Sequence, residues 1–179
     1  MTEQTDGPAV GAGGRDIRIR ALDGGLEAVA AMWDALYEHQ RAHGLLAPIP
    51  DGAFAEWARS LATVLGRFGF VTVASVDGVD AGFCAGRMRP MPPYYGGGYT
   101  GYISEVFVDP AARGLGIGRT LVDAGVRWFR ERDVRRVELQ VVWRNEAALA
   151  FYRRLGWVED VVQFVLLDEP APPAGTPSS

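Results

Sequence analysis

The segment that most constrains the fold runs from Val106 to Val122 and reads VFVDPAARGLGIGRTLV. An apolar strand pattern ends at Val108, and Arg113 with three alternating glycines then leads directly into a helical pattern. The first N–H groups of a helix lack partners within the helix, and the helix dipole adds partial positive charge there. Glycines let the main chain approach a bulky anion, and Arg113 adds a fixed charge. The segment therefore predicts an anion site of the kind that binds a pyrophosphate.

Other classes of protein use the same physics. A P-loop would need a Lys-Ser or Lys-Thr pair after the last glycine, and this chain has Arg119-Thr120 there. A dinucleotide-binding fold would place the turn after the first strand of a parallel sheet, with further strand-helix units downstream. Only one strand-helix-strand unit remains here, which disfavours that fold. A glycine turn without any ligand stays open as an alternative.

The elements around this segment are predicted from hydrophobic periodicity. We expect a hairpin from Phe68 to Met88, with its turn at Asp77-Gly78 because that dipeptide suits positive backbone angles. The remaining predicted strands are Asp16–Leu22, Tyr99–Val108, Val134–Val142 and Trp157–Leu167. The predicted helices start near Leu26, at an Asp51 N-cap, near Gly116 and at Glu146. The order predicts a mixed α/β (α+β) domain that is mostly antiparallel, with one β-α-β crossover.

Length and composition limit the organisation of the chain. A length of 179 residues fits one domain, which we place at residues 15–168 between disordered segments 1–14 and 169–179. The single cysteine, Cys84, excludes an internal disulfide and a Cys-rich zinc site. The sequence contains no signal-peptide pattern and no apolar run of about 20 residues, so we expect a cytoplasmic protein with no membrane partner. A net charge of -4 argues against a nucleic-acid partner and is compatible with a cationic small molecule.

A second motif makes the assignment more specific. Asn145 precedes the string Ala148-x-x-Phe151-Tyr152-x-x-Leu155-Gly156-Trp157. With Arg113-x-x-Gly116-x-Gly118 upstream, the pattern resembles the GNAT superfamily of N-acetyltransferases, well from Gly69 to Leu167 and in element order only before that. The resemblance implies a sheet of about six or seven strands flanked by about four helices. It also implies a V-shaped splay between the family's fourth and fifth strands, here Tyr99–Val108 and Val134–Val142. The stretch after Trp157 is too short for two full strands, so the last strands of the family must be short or merged.

The resemblance also implies a cofactor site for acetyl-CoA as co-substrate. Main-chain groups of Val106, Phe107 and Val108 would bond the pantetheine arm like an added strand. Amides of the turn would hold the pyrophosphate, namely those of Arg113, Gly114, Leu115, Gly116, Ile117, Gly118 and Arg119. Asn145 would contact the cofactor, although Asn is also a favoured helix N-cap, and both roles can hold together. Tyr152 would lie beside the thioester sulfur.

Two residues are candidates for proton transfer. Glu105 lies in a mostly apolar strand, and partial burial would raise its pKa into the range useful for deprotonating an acceptor ammonium through water. The alternative is a strand-end carboxylate paired with Arg87 or Arg89. Tyr152 carries a phenol that can protonate a leaving thiolate, and its alternative role is packing on a helix face.

Five other residues are conspicuous in the sequence. His39 and His43 have metal-ligand spacing, but no third ligand is apparent, so we predict no metal and leave acceptor contact open. Cys84 lies in an apolar strand and is expected to be inert. The loop at residues 90–98 contains Tyr94 and Tyr95 and is either a lid over the acceptor or an exposed turn.

These observations predict an N-acetyltransferase that moves the acetyl group of acetyl-CoA to a primary amine, by direct attack in a ternary complex. Glu105 would be the base, the Val106 amide would help stabilise the oxyanion, and Tyr152 would be the acid. A small-molecule acceptor is favoured, with a protein lysine or N-terminus and a non-catalytic CoA-binding sensor as alternatives. The sequence leaves open the acceptor, the length of the acyl group and the oligomeric state, a homodimer included.

Overall fold

The computed structural model of the chain describes residues 9–10 and 14–168. These form two compact units, which are described separately. The first comprises the described residues up to Leu36 together with residues 51–140, and the second comprises residues 37–50 and the described residues from Val141 onward. A single domain at 15–168 stays a prediction. The disorder predicted for 1–14 and 169–179 falls mostly outside the described residues, although Ala9–Val10 forms a short strand.

The first unit contains one sheet whose six strands follow one another in chain order. All neighbouring strands are antiparallel except the last pair, which is parallel. The mixed, mostly antiparallel fold class is confirmed. The number of strands is at the low end of the prediction, because the predicted last strand at Trp157–Leu167 does not form. The strands are β1 Ala9–Val10, β2 Asp16–Ala21, β3 Gly69–Val76, β4 Val79–Pro90, β5 Tyr99–Val108 and β6 Val137–Leu139.

The described residues contain four α-helices, the number predicted. They are α1 Ala30–Ala42, α2 Ala53–Ala62, α3 Ile117–Arg130 and α4 Glu146–Arg154. The predicted Asp51 cap of α2 is wrong, because Gly52 occupies the N-cap with φ 77° and no side chain caps the helix. None of the described helices combines the length and apolarity needed to cross a bilayer.

Helix α3 packs on one face of the sheet at two glycines. A Cβ atom at Gly101 of β5 would lie 2.7 Å from the Phe129 ring, and one at Gly125 of α3 would lie 2.7 Å from Phe70. Real Cβ atoms do not approach so closely, so only glycine permits this spacing. Phe70 and Phe129 then meet edge to face with ring centroids 5.4 Å apart.

Aromatic side chains from α1 and α2 cover the opposite face. Trp57 of α2 lies edge-on to Phe83 of β4 with centroids 6.4 Å apart, and it also packs against Trp33 and Phe54. Phe83 is fully buried. The two sets of contacts fix which residues of β4 and β5 face α3 and which face α2.

The sequence was wrong about the last two strands. Strand β6 covers three residues rather than the nine from Val134 to Val142. The stretch from Trp157 to Leu167, in the second unit, has an apolar composition but forms no strand. A strand needs a partner to satisfy its backbone groups, and composition alone does not supply one. Most of its large apolar side chains are exposed, Phe164 by 92% and Leu166 by 97%.

Candidate active site

The glycine turn follows β5 directly. Asp109 accepts a hydrogen bond from the Ala111 amide at 2.8 Å, which closes a short 3-10 turn at Pro110–Ala112. Gly114 and Gly116 then adopt φ of 82° and 81°. Side chains disfavour these angles, so the local sequence requires glycine to turn the chain from β5 into α3.

The start of α3 is open. Gly116 is its N-cap, no side chain caps it, and the Thr120 amide makes a helical bond to the Gly116 carbonyl at 3.1 Å. The amides of Ile117, Gly118 and Arg119 therefore precede the first helical bond. A Cβ atom at Gly114 or Gly116 would meet nothing within 4 Å, so there is free space beside the loop. These features fit an anion such as a pyrophosphate.

Beside this turn, β5 leaves part of its edge without a neighbouring strand. Parallel pairing with β6 covers only Gly101, Tyr102 and Ile103, whereas β5 continues to Val108. In the described part of the chain, the edge from Ser104 to Val108 that faces away from β4 has no strand partner. The opening lies between the two strands for which a splay was predicted; they are the fifth and sixth here because β1 adds one. An extended ligand can bond main-chain groups on such an edge.

A β-bulge in β5 positions Glu105. Ala85 pairs with Glu105 and Gly86 pairs with Ile103, so Ser104 is an extra residue without a partner in β4. Cys84 and Gly86 of β4 face α3, so Ala85 between them faces α2. Glu105 pairs with Ala85, and its side chain is therefore also on the α2 face. Glu105 is only 4% exposed. The Ser104 hydroxyl donates to Glu105 Oε2 at 2.5 Å.

Burial and the charge of Glu105 raise the pKa values of two neighbouring groups, Cys84 and Tyr102. Burial raises the pKa of the Cys84 thiol well above its usual range, and the negative charge of Glu105 raises it further. Burial also raises the pKa of Tyr102, and the Arg89 guanidinium opposes that effect. Cys84 therefore stays a thiol at physiological pH, as expected for an inert buried cysteine.

The second unit contains the other predicted site residues. Asn145 caps α4, because its Oδ1 accepts a hydrogen bond from the Ala148 amide at 3.1 Å, and its Nδ2 lies 3.4 Å from His39 Nε2. The His39 and His43 rings are 4.2 Å apart, and His43 Nδ1 donates to the His39 carbonyl at 2.8 Å. Among the residues the structure describes, no three potential ligands cluster as a metal site would require.

Tyr152 packs edge to face against Trp157, with ring centroids 5.8 Å apart, and against Phe151 at 5.0 Å. The structure thus groups Glu105, Val106–Val108 and the glycine turn in the first unit, and Asn145 and Tyr152 in the second. The packing role of Tyr152 is observed, and its chemical role stays a prediction.

Comparison with known protein families shows which family the chain belongs to. A model of the Acetyltransferase (GNAT) family matches residues 30–157, which is well over half of the chain. The chain belongs to the GNAT family. The match includes the glycine turn, the β5 bulge and the Asn145–Trp157 string.

Curated relatives of this GNAT chain include mycothiol acetyltransferases. One from Amycolatopsis mediterranei is 46% identical over 69 residues, which cover 38% of this chain and 23% of the relative. Another, from Saccharomonospora viridis, is 38% identical over 99 residues, covering 54% of this chain and 32% of the relative. The chain thus matches about a third or less of the length of these relatives.

Among solved structures, an aminoglycoside N-acetyltransferase in complex with CoA has a TM-score of 0.69. The match covers 88% of this chain and 98% of that protein, at 20% sequence identity. At this identity the similarity establishes the GNAT fold, over nearly the whole of both chains.

The sequence did not predict three features of this part of the GNAT sheet. The bulge at Ser104 could not be predicted from the sequence, because a bulge is defined by the register between two strands and neither strand shows it alone. Tyr102 and Gln140 are also joined, by a hydrogen bond of 3.0 Å from the tyrosine hydroxyl. The sequence suggests Arg87 and Arg89 only as ion partners of Glu105. In the structure Arg87 donates to Ser60 Oγ at 3.3 Å, and Arg89 stacks on Tyr102.

The loop at residues 90–98 contains a short 3-10 turn at Pro93–Tyr95. Tyr94 and Tyr95 are exposed, and their ring centroids are 5.0 Å apart. A role of this loop as a lid stays a prediction.

Proposed function

We propose that the protein transfers the acetyl group of acetyl-CoA to a primary amine of a small molecule, by direct attack in a ternary complex. The observation that carries the proposal is the open start of α3 beside the free edge of β5. In acetyl-CoA a pyrophosphate joins the adenosine to an amide-containing pantetheine arm. A helix start and an unpaired strand edge suit these two parts respectively.

For the donor, the amides of Ile117, Gly118 and Arg119 would hold the pyrophosphate, with the open space at Gly114 and Gly116 admitting it. The Arg113 guanidinium, whose Nε lies 3.4 Å from the Val108 carbonyl, would add positive charge on the same side. Main-chain groups of Val106 to Val108 would bond the pantetheine arm. Asn145 would contact the donor through groups that its capping bond leaves available.

For the acceptor, Glu105 would take a proton from the ammonium through a water molecule. The free amine then attacks the thioester carbonyl, a C–N bond forms, and the Val106 amide would help stabilise the oxyanion. Burial of Glu105 disfavours its charged form and so makes it a stronger base than an exposed carboxylate.

The C–S bond then breaks, and the Tyr152 hydroxyl would give its proton to the leaving thiolate. The proton that the attacking nitrogen loses as the amide forms would restore the phenol. A covalent acyl-cysteine is not part of the proposed route. Cys84 is fully buried and its raised pKa keeps it protonated, so it would be a poor nucleophile.

A small-molecule acceptor is supported by the relatives. The two curated relatives described above are named for mycothiol and the aminoglycoside N-acetyltransferase for aminoglycosides, and both are small molecules. These names belong to those proteins, and they support the acceptor class proposed here rather than a particular acceptor.

Gly118 offers a charge-only test of the donor site. Gly118→Asp and Gly118→Asn have similar size and helix propensity, but only aspartate puts negative charge beside the proposed pyrophosphate. At 100-fold saturation a ligand stabilises the fold by about 2.7 kcal/mol. We expect CoA to raise the Tm of the wild type and of Gly118→Asn, and to leave that of Gly118→Asp unchanged. Without CoA, Gly118→Asp should be at least as stable as Gly118→Asn, because aspartate favours a helix N-terminus.

Turnover is tested by thiol release from acetyl-CoA with a panel of amines. The chain contains no lysine, since all 18 basic residues are arginine, so acetylation of its own lysines cannot cause background release. Release of CoA that depends on an added amine supports the proposal. If CoA leaves the Tm of the wild type unchanged and no amine releases thiol, the proposed function is wrong.

A further inference from the structure

Two arginines share a face of the sheet with Glu105. A Cβ atom at Gly82 or Gly86 of β4 would lie against Leu121 of α3 or the Phe70 ring, so these positions face α3. The residues that alternate with them, Phe83 to Arg89 in steps of two, therefore face α2. The Arg87 bond to Ser60 of α2 agrees with this assignment.

The guanidinium groups of Arg87 and Arg89 both contact neutral side chains. Arg87 Nη1 donates to the Ser60 hydroxyl at 3.3 Å, and Arg89 Cζ lies 3.3 Å from the centroid of the Tyr102 ring. The Tyr102 hydroxyl is in turn bonded to Gln140, which fixes the ring. Within residues 14–168 neither guanidinium forms an ion pair, whereas Arg20 and Arg136 each pair with a carboxylate.

The spacing places opposite charges side by side. Ala85 is directly opposite Glu105, and Arg87 is two residues further along the same strand face. Two residues of a strand span roughly 7 Å, and arginine is long enough to shorten that separation. The separation suits a small acceptor whose amine reaches the carboxylate through a water molecule while another of its groups contacts one or both guanidiniums.

We infer that the acceptor carries an anionic group, a carboxylate or a phosphate, in addition to its amine, and that Arg87 and Arg89 bind this group. The inference rests on the proposed acetyl transfer. The planar guanidinium matches the oxygens of both anions, and stacking and hydrogen bonding already orient these two. The negative net charge of the chain suggested a cationic acceptor, but this face carries local positive charge beside the base, so the amine alone does not define the substrate.

The test compares acceptors that differ only in the anion. Glycine, β-alanine and γ-aminobutyrate are each paired with the corresponding amide, and phosphoethanolamine is paired with ethanolamine. For the wild type we expect kcat/KM to be roughly 10- to 100-fold higher for at least one acidic member than for its neutral partner. The three amino acids vary the distance between amine and carboxylate, and the phosphate pair separates the two kinds of anion.

The variants Arg87→Gln and Arg89→Gln should reduce that preference by raising KM for the acidic acceptors, with little change in kcat. Arg67→Gln is the matched control, because Arg67 is an exposed arginine that stacks on Phe68 and is not part of the site. It should keep the wild-type preference.

The two proposals fail in different ways. If the wild type acetylates neutral amines as well as acidic ones, or if Arg87→Gln and Arg89→Gln keep the preference, the anion subsite is wrong and acetyl transfer stands. If no amine releases CoA, the anion subsite is tested by comparing the Tm of the protein in phosphoethanolamine with its Tm in ethanolamine. A rise with phosphoethanolamine alone, lost in both arginine variants, supports the subsite without turnover, and equal Tm values overturn it.

Discussion

Replacing Ser104 by alanine removes the hydrogen bond from the Ser104 hydroxyl to the carboxylate of the proposed base, Glu105. The Ser104 hydroxyl lies 2.5 Å from Glu105 Oε2 and donates to the ionised carboxylate. A hydrogen bond to a charged group contributes about 1.5–3 kcal/mol, and one pH unit of titration corresponds to about 1.4 kcal/mol. Losing the bond disfavours the ionised form of Glu105. We therefore expect the acidic limb of the pH–rate profile to move upward by about one to two pH units.

The assay is thiol release, measured as kcat/KM across pH with one acceptor, so that ionisation of the acceptor is the same for every variant. Ser104→Ala should approach the wild-type rate at alkaline pH, where Glu105 is ionised in both proteins. Ser104→Thr keeps the hydroxyl and suits a strand, so its limb should stay near that of the wild type. An unmoved limb in Ser104→Ala, or an equal shift in Ser104→Thr, would refute the reasoning.

Further predictions concern the two proposed proton-transfer groups, Tyr152 and Glu105, and the buried Cys84. Tyr152→Phe keeps the ring contacts with Trp157 and should still bind CoA, but its turnover should fall about 10²–10⁴-fold at every pH. The turnover of Glu105→Gln should instead recover at alkaline pH, because free amine is then available. Similar pH responses of the two variants would contradict these roles. Burial raises the pKa of Cys84, so iodoacetamide should label the protein at pH 8 only as fast as it unfolds. At pH values above the usual thiol pKa, the unfolded chain loses the Cys84 proton while the folded chain keeps it. The free energy of unfolding should therefore fall by up to about 1.4 kcal/mol per pH unit. Cys84→Ala should remove this part of the pH dependence. Rapid labelling of the folded protein would show that the thiol is accessible.

Local patterns predicted the parts of the fold that depend on local chemistry. The hairpin turn formed at Asp77 and Gly78, both with positive φ, because that dipeptide tolerates the angles a two-residue turn needs. The glycine turn and the start of α3 were predicted for the same reason. Glu105 was predicted to be buried from the apolar residues around it, and it is.

The features that failed or were missed depend on partners distant in sequence. The stretch after Trp157 has the composition of a strand, but a strand also needs an edge to pair with, which composition does not reveal. The bulge at Ser104 exists only in the register between β4 and β5. The orientation of Arg87 and Arg89 depends on Ser60 and Tyr102, which lie 27 residues from Arg87 and on the neighbouring strand respectively. The roles of Asn145 and Tyr152 stay predictions.

The exposed stretch from Val158 to Leu167 has a consequence for how the protein behaves in solution. Its apolar side chains are β-branched, aromatic or leucine, and its only charges, Glu159 and Asp160, lie near its start. Segments of this kind promote pairing between molecules, and flanking charges act as gatekeepers against it. We therefore expect aggregation to rise with protein concentration. Adding a lysine after Phe164 should raise solubility without touching the glycine turn or Glu105.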